Sequence, residues 1–467
     1  MELAGKTVVV VGLARSGVAA ARFLASRGAR VVATDRKGEG ELPQEAMTLG
    51  QDGVRLELGP HRPETLAGAD LVVVSPGVPW DLPALAAART AGVEVIGELE
   101  LGYRTLRGRV AAVTGTKGKS TTTAALGAML REGGGDVRVG GNIGEAVTGL
   151  LEGSTEATRF VLEVSSFQLE GTRDFHPEVA VFLNLSPDHL DRHPSFEDYA
   201  AAKARIFANQ TEDDWAVVNA DDHGVLARAR AGRARQVFFH PAPLTEAPQG
   251  NAAFFAGGFA CLRREGRTER LFARAEVRLP GEHLRGDLLA AAAAARLMDA
   301  SPDDVRAAAA RFTGVEHVLE RVDEVGGVAF FNDSKATNVE AARRSLEAFE
   351  GPVAVILGGR YKGGDFGLLA PALRRPGRAV LAIGEARPLI AEALGGVVEV
   401  VDCASLREAV ERAHAAVRPQ GTVLLAPACS SFDMFADYAE RGRAFKAEVA
   451  RLAETLRGPS GPRTGNG

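Results

Sequence analysis

The run GTKGKST (115–121) holds two glycines, two lysines and three hydroxyl side chains within seven residues. Gly115 and Gly118 lack a Cβ, so the backbone can turn tightly there and come close to a ligand. Their N–H groups, with the unpaired N–H groups that open a following helix, make a concave seat for an anion. Lys119 is placed to reach β- and γ-phosphates, and the Ser120 hydroxyl to ligate Mg²⁺. In the complete pattern GxxxxGK[ST] the first glycine would fall at Val113, so the match is the shorter GxxGKS. The surroundings are those a phosphate loop needs. Residues 110–113 are apolar and read as a strand. Residues 121–132 contain no helix breaker but Gly127, and the triple glycine 133–135 ends that helix.

Three further groups carry chemistry in the same region. Glu163 stands inside the otherwise apolar run 160–164, where a lone carboxylate is costly without a partner. A metal beside nucleotide phosphates would be such a partner, and a salt bridge at a strand end would be another. Asp188, His189, Asp191, Arg192 and His193 follow an apolar strand directly. Acid and imidazole groups in one turn can hold a metal and a substrate carboxylate together, although no zinc spacing is present and a polar surface turn has the same composition. Lys203 is the third. Ser195 reads as a helix N-cap, Glu197 and Asp198 favour the first turn, and Phe196, Tyr199, Lys203 and Ile206 share one face. A lysine on an apolar stripe either reaches its ammonium out to water or stays desolvated with a lowered pKa. A desolvated amine can add CO₂ to form a carbamate, a carboxylate able to bind Mg²⁺.

The segments that must place these groups alternate strand and helix. Residues 6–12 read as a strand, 13–17 as a turn, the stretch to about 26 as a helix and 29–35 as a strand, which is a βαβ unit with a helix N-terminus aimed at an anion. The dinucleotide fingerprint GxGxxG is incomplete, because Ala14 and Arg15 follow Gly12 and Leu13. A nicotinamide-dependent oxidoreductase would need that fingerprint and would leave the phosphate loop unexplained. Asp35 ends the second strand, where such folds often hold a ribose, and Ser75, Pro76 and Gly77 form another strand-end turn. Residues 160–168 and 179–191 read as buried strands ending in polar groups. Residues 236–280 are aromatic and turn-rich, which predicts a small antiparallel insertion. Beyond Gly314, strands at 328–332, 353–359, 379–384, 397–402 and 422–428 alternate with helices, a second open α/β sheet. Its strand ends carry three polar loops, at 331–338, 357–365 and 426–433. In the first, Asp333 and Lys335 could hold a ribose and phosphate and Thr337 a substrate. The boundaries expected are 1–98, 99–314 and 315–457, followed by a disordered tail at 458–467.

The composition bounds the class. The 467 residues are too many for one core; 46% are apolar and 25% charged, as in ordinary water-soluble globular chains. A net charge of −5 supplies no basic field for nucleic acid or a membrane surface. The three cysteines are scattered and odd in number, which points to a reducing compartment rather than a disulfide or zinc framework. Charged residues interrupt the alanine-rich run 290–310, so no membrane span is expected, and neither is a secretory leader. A cytoplasmic protein follows.

Taken in order, GTKGKST (115–121), GGNIG (140–144), EVSSFQLE (163–170), PDHLDRH (187–193), YAAAKARI (199–206), FTGVEH (312–317), NDSKATN (332–338), LGGRYKGGDF (357–366) and PACSSFDMF (427–435) resemble the Mur ligase family over essentially the whole chain except the tail. NDSKATN and PACSSFDMF match its D-glutamate-adding branch. The resemblance implies an α/β protein of three domains: a Rossmann-like N-terminal domain for a UDP-linked precursor, a central P-loop-type ATPase domain with the small insertion, and a Rossmann-like C-terminal domain for D-glutamate and ATP. It implies ATP-dependent amide ligation of D-glutamate to UDP-N-acetylmuramoyl-L-alanine through an acyl phosphate, in peptidoglycan precursor synthesis, by a monomer without nucleic-acid or membrane partners. Lys119, Glu163, His189 and Lys203 would be catalytic. Gly115, Thr116, Lys117, Gly118, Lys119, Ser120, Thr121, Asp287, Asp333 and Lys335 would bind ATP. Two Mg²⁺ would be held by Ser120, Glu163, His189 and carbamylated Lys203. Arg15, Ser16, Asp35, Arg36, Ser75, Gly77, Asn142, Ser165 and His189 would meet the precursor. His189, Thr337, Lys362, Ser431 and Tyr438 would meet D-glutamate. The chain departs from the family pattern at four places: Asp287 stands where the second Asn of GxHNxxN is usual, Val318 follows His317 where Arg is usual, Arg360 replaces a common acid, and Tyr438 replaces a phenylalanine.

Overall fold

The computed structural model describes residues 1–190 and 192–457. Asp191 and the expected tail at 458–467 lie outside the described residues. The chain forms two compact units. One comprises Met1–Val277 and Arg285–Phe312; the other holds Arg278–Leu284 and the residues from Thr313 onward. Among the described residues no helix is long and apolar enough to cross a membrane.

Two sheets make up the first unit. The first is wholly parallel, with spatial order Arg55–Leu58, Arg30–Asp35, Thr7–Val11, Leu71–Val74 and Glu94–Gly97. Runs such as TVVVV and LVVV suit it, because β-branched side chains pack well on a pleated surface covered on both faces. The strand order reverses between Thr7–Val11 and Leu71–Val74. Loops at such a reversal leave a crevice at the carboxyl ends of the strands, and the two loops here begin at Gly12 and Ser75. The buried Ser75 hydroxyl donates to the Gly12 carbonyl at 2.9 Å and ties them together.

The second sheet has nine strands, in the order Arg267–Ala273, Phe259–Arg264, Ala252–Ala256, Arg235–Pro243, Trp215–Asn219, Val179–Phe182, Arg109–Thr114, Arg159–Glu163 and Val137–Gly141. The expected antiparallel insertion exists at Ala252–Ala273, but it is not a separate piece. Ala252–Ala256 pairs in parallel with Arg235–Pro243, so the antiparallel strands extend the edge of the central sheet. Residues 166–168, read as strand, belong instead to a helix, Ser166–Glu170. Ser165 caps it, its hydroxyl accepting from the Gln168 N–H, and this local bond ends the strand at Glu163. The helix Glu282–Leu297 carries the alanine run, and Leu288 through Ala295 are fully buried.

The third sheet, in the second unit, runs Glu320–Val325, Val328–Asn332, Gly421–Leu425, Val353–Gly358, Arg378–Ile383 and Glu399–Asp402. Its first pair is antiparallel and the rest are parallel. The antiparallel edge strand Glu320–Val325 carries four charged residues and only two apolar ones, which hides it from any reading based on buried runs.

The reversal in the first sheet is held by close approach. A Cβ on Gly17 would lie 1.8 Å from the Gly12 carbonyl oxygen and 2.7 Å from Ser75 Oγ. Gly17 therefore fills the third glycine position of the fingerprint, which lacks only its second, at Ala14. Gly17→Ala should destabilise the first unit by roughly 1–3 kcal/mol or more, read by denaturant unfolding.

Candidate functional site

The phosphate loop lies where the sheet order brings polar strand ends together. The strand Arg109–Thr114 is flanked by Arg159–Glu163 and Val179–Phe182, with Val113 opposite Glu163 and Thr114 opposite Phe182. Gly141, ending the next strand out, is also in register with Glu163. Gly115, Thr116, Lys117 and Gly118 form the turn, with φ of 154° at Gly115 and 83° at Gly118. Lys119, Ser120 and Thr121 open the helix Lys119–Glu132. Asn184, which the sequence reading passed over, holds the turn from below. Its side chain accepts from the Lys117 N–H at 2.8 Å and donates to the Lys117 carbonyl at 3.0 Å, and its own carbonyl accepts from Thr116.

Lys203 lies in the helix Phe196–Ala204, which Ser195 caps as expected. The side chain is buried, not reaching to water. Its Nζ donates to the Gly115 carbonyl at 2.9 Å and sits over the Tyr199 ring at 4.8 Å. Lys119 Nζ donates to the same carbonyl at 3.0 Å and to that of Thr116. Burial, and then the Lys119 charge, push the Lys203 amine well below its ordinary pKa. Tyr199 bonds through its hydroxyl to Thr116 at 3.0 Å. Lys117 reaches the Asp188 carboxylate at 3.4 Å. Burial alone would raise Asp188, but Lys117 and His189 outweigh it and hold the carboxyl below its usual value.

Glu163 is buried, and Asn142 donates to its Oε1 at 2.7 Å. Its Oε2 has no hydrogen-bond partner among the described residues. A buried carboxylate oxygen left in that state costs about 1–3 kcal/mol or more, and a hard divalent cation is the ligand that would relieve it. The Ser120 hydroxyl and the Glu163 carboxylate are oxygen donors suited to such a cation, whereas the buried Lys203 amine would become a ligand only as a carbamate. His189 itself is exposed and adopts a positive φ of 54°.

The precursor candidates from the first sheet meet the central loops within the same unit. Arg15 Nη2 donates to the Asn142 carbonyl at 3.0 Å. Ser16 is in the first turn of a helix, Arg15–Ser26, whose N-cap Ala14 offers no side-chain bond, so its amides face outward for an anion. Asp35 is partly committed: its two oxygens accept from the Leu13 and Lys37 N–H groups, at 2.7 and 2.9 Å. Arg36 and Gly77 are exposed. Ser75 is buried in its clasp with Gly12, and Ser165 is engaged in its helix cap.

The other candidates lie in the second unit, on loops leaving three adjacent parallel strands, Val328–Asn332, Gly421–Leu425 and Val353–Gly358. Asp333 is buried, accepts from the Leu319 N–H at 3.2 Å and from the Ser345 hydroxyl, and is pushed up to about 6 by burial. Lys335 and Lys362 are exposed, Thr337 is half-buried and Ser431 is buried. Tyr438 stands edge-on to the His317 ring at 6.1 Å. Arg441, not foreseen from sequence, binds the loops together. Its buried guanidinium donates to the Ser334 hydroxyl and carbonyl, both at 2.9 Å, and to the Cys429 carbonyl at 3.1 Å. Burial lowers it to about 10. Of the departures, Val318 follows His317, a buried ring bonded to Asn332 at 2.9 Å, and Arg360 pairs with Glu385 at the surface. Glu316, His317 and Glu320 cluster closely, but both carboxylates are already paired with Lys446, at 2.7 and 2.9 Å.

With this geometry in view, the comparisons with known proteins are decisive for the family. Residues 6–97 match the model of a Mur ligase MurD-like N-terminal domain, 113–295 that of the Mur ligase middle domain, and 319–429 that of the Mur ligase glutamate ligase domain. The UDP-N-acetylmuramoylalanine–D-glutamate ligase of Acidobacterium capsulatum is 46% identical over 448 residues, 96% of each chain. That of Pelobacter propionicus is 45% identical over 97% of this chain and all of its own. The chain belongs to the Mur ligase family. Among solved structures, the UDP-N-acetylmuramate–alanine ligase MurC of Thermotoga maritima superposes with a TM-score of 0.57 at 21% identity, covering 96% of this chain and 100% of that one. The MurF ligase of the same organism, solved with ADP, gives 0.57 at 18% identity over 96% of each chain. Both agree with the three-domain Mur ligase fold.

Asp287 is the departure with a physical consequence in this Mur ligase. Its carboxyl group lies against the phosphate turn: a Cβ on Gly118 would come within 2.3 Å of Oδ1. Burial raises it to about 8, with Lys119 opposing. It is then largely protonated at neutral pH, and brings no full negative charge to the anion seat. The native chain holds a proton that the unfolded chain, with an ordinary carboxyl, gives up above about pH 4. Stability is therefore greatest below that pH and falls as pH rises through about 8. Asp287→Asn should raise Tm by several degrees at pH 8, and the gain should shrink toward pH 5, followed by thermal unfolding across that range.

Proposed function

We propose that this Mur ligase joins D-glutamate to UDP-N-acetylmuramoyl-L-alanine at the expense of ATP, in the cytoplasmic synthesis of peptidoglycan precursors, acting as a monomer. The convergence of Lys119, Lys203 and Glu163 on the Gly115 turn carries the reading of chemistry. Identity of 42–46% to several D-glutamate ligases, over nearly the full chain, carries the substrate. The net charge is −5, and among the described residues no helix is long and apolar enough to cross a membrane.

In this reading the amides of Gly115, Thr116, Lys117, Gly118, Ser120 and Thr121 cradle the ATP phosphates, and Lys119 exchanges its carbonyl partners for them. Asp287 lies beside that cradle, and Asp333 and Lys335 serve the ribose and phosphates. Arg15, Ser16, Asp35, Arg36, Ser75 and Gly77 hold the uridine diphosphate. Asn142, Ser165 and His189 hold the rest of the precursor. Thr337, Lys362, Ser431, Tyr438 and His189 hold D-glutamate.

Ser120, Glu163, His189 and a carbamate on Lys203 would hold two Mg²⁺, which supply positive charge where two anions must meet. The precursor carboxylate attacks the γ-phosphorus, a C–O–P linkage forms, and ADP leaves. The amine of D-glutamate then attacks the acyl carbon, the amide forms, inorganic phosphate departs, and the amine gives up its proton. The residues of the chain bind, orient and desolvate these partners, so that little is left to chance encounter. The lowered pKa of Lys203 keeps a neutral amine available to CO₂, and its place beside Gly115 puts the resulting carboxylate next to the phosphate seat.

Two outcomes test the reading. Phosphate release from ATP and Mg²⁺ should require both UDP-N-acetylmuramoyl-L-alanine and D-glutamate, and L-alanine, L-glutamate or meso-diaminopimelate should not replace D-glutamate; release driven by another amino acid would reassign the substrate. Lys203→Ala should lower kcat by about 10²-fold or more, a loss typical for a group that stabilises developing charge. Added acetate or formate should partly restore it, and unchanged turnover in that variant would remove the carbamate from the scheme.

A further inference from the structure

His189 carries a central role in the reading above, and its own segment holds its backbone: the carbonyl accepts from the Arg192 and His193 N–H groups, both at 3.0 Å, and its N–H donates to Asp188 at 3.1 Å. His189 is exposed, has a positive φ, and lies in a stretch without regular secondary structure. Two rings meet the imidazole: Tyr199, with centroids 6.5 Å apart and planes at 51°, and, closer, Phe167. Phe167, on the short helix Ser166–Glu170, lies edge-on to His189 with centroids 5.0 Å apart and planes at 65°. The same ring stacks on His193 at 5.3 Å and 11°, and carries the Arg192 guanidinium over its face at 4.8 Å. These are favourable aromatic and cation–π geometries.

His193 is fixed in turn. It is buried; its Nε2 bonds to the Ser166 hydroxyl at 2.9 Å, and its Nδ1 lies 3.4 Å from Glu170 Oε1. Both anchors belong to the helix that bears Phe167, so the loop is stapled at His193 and stacked at His189. Arg192 extends the arrangement in the other direction. Its Nη1 donates to the Gly77 carbonyl at 2.9 Å and its Nη2 to that of Val78 at 3.4 Å. Those carbonyls belong to the turn that follows Leu71–Val74, at the strand-order reversal of the first sheet.

We propose that Phe167, Arg192 and His193 are positioning residues which fix the His189 imidazole and link its placement to the nucleotide turn at Gly77. The inference rests on the function proposed above and deepens it. The precursor spans from the first sheet to the reacting carboxylate, so one end of the substrate touches the turn that Arg192 grips and the other meets His189. A guanidinium that grips the turn with its fork and a ring with its face senses both. Occupation of the turn then helps set the imidazole before the carboxylate arrives.

The experiment is steady-state phosphate release by the full chain, varying UDP-N-acetylmuramoyl-L-alanine, ATP and Mg²⁺ in turn. ATP binding without precursor is measured in parallel. Arg192→Ala should raise KM for the precursor about tenfold and lower kcat, with ATP binding unchanged. Phe167→Leu and His193→Ala should lower kcat about tenfold and raise the Mg²⁺ concentration for half-maximal rate. Phe167→Tyr and His193→Gln, which keep a ring or a hydrogen-bonding end, should recover most of the loss. The double variant of Arg192→Ala and Phe167→Leu should lose less than the product of the single effects, because each already breaks the link. Strictly multiplicative effects, or wild-type Mg²⁺ and precursor dependence in the single variants, would overturn the proposal. So would losses that follow a fall in Tm alone and are not rescued by the conservative variants. Arg192 is partly solvated, so its arm decides the matter even where His193→Ala fails to fold. A wild-type chain with no turnover on any amino acid would overturn the underlying reading and this inference with it, whereas an active wild type with unaffected variants overturns the link alone.

Discussion

Two lysine amines share one carbonyl oxygen, that of Gly115, and one of the two is buried. Electrostatics makes this the governing constraint of the first unit. Burial first, and then the nearby Lys119 charge, disfavour the ammonium form, so Lys203 yields its proton more readily than an ordinary lysine. The neighbourhood is arranged around that tension. Glu163 favours the charged amine yet keeps one oxygen without a hydrogen-bond partner among the described residues, and Asp188 pairs with Lys117.

The surrounding fold maintains the tension. The phosphate turn cannot sag, because Asn184 clamps the Lys117 peptide from both sides and Tyr199 holds Thr116. Glu163 cannot turn away, because Asn142 holds its other oxygen and the strand register sets its height beside Val113. The core beneath is apolar and close-packed, with Val110, Ala112, Phe160, Leu162, Ala180 and Phe182 fully or almost fully buried. Such a core does not deform continuously. The second unit solves a similar problem with a different device. Three loops leave neighbouring strands, and the buried Arg441 joins two of them through hydrogen bonds to Ser334 and Cys429. A planar guanidinium spreads five donors over a rigid fork and so reaches acceptors on separate loops, whereas a lysine offers three donors from one point.

Much of this was legible in the residues. The strand, turn and helix around GTKGKST follow from an apolar run, two glycines and the lack of breakers, and the structure has them at Arg109–Thr114 and Lys119–Glu132. The Ser195 cap and the apolar stripe through Tyr199 and Lys203 follow from spacing, and both are present. Elsewhere local signals misled. The run 160–168 begins apolar and reads as one strand, but the Ser165 cap turned residues 166–168 into the start of a helix. The antiparallel strands are where composition placed them, yet composition could not say that they would continue the central sheet.

What the chain's order of residues determined unaided was the alternation of elements, the phosphate turn, the family and the chemistry of single groups, because each of these depends on neighbours a few positions apart. Whether Lys203 reached water or stayed buried was undecidable from spacing, since the same stripe serves both. Only the tertiary structure decided it, by packing the helix so that the amine faces Gly115, 88 residues away. The roles of Asn184, Phe167, Arg192 and Arg441 were hidden for the same reason. Each acts on a partner between 22 and 115 positions distant or on a ring brought near by folding, and no pattern along the chain encodes that proximity.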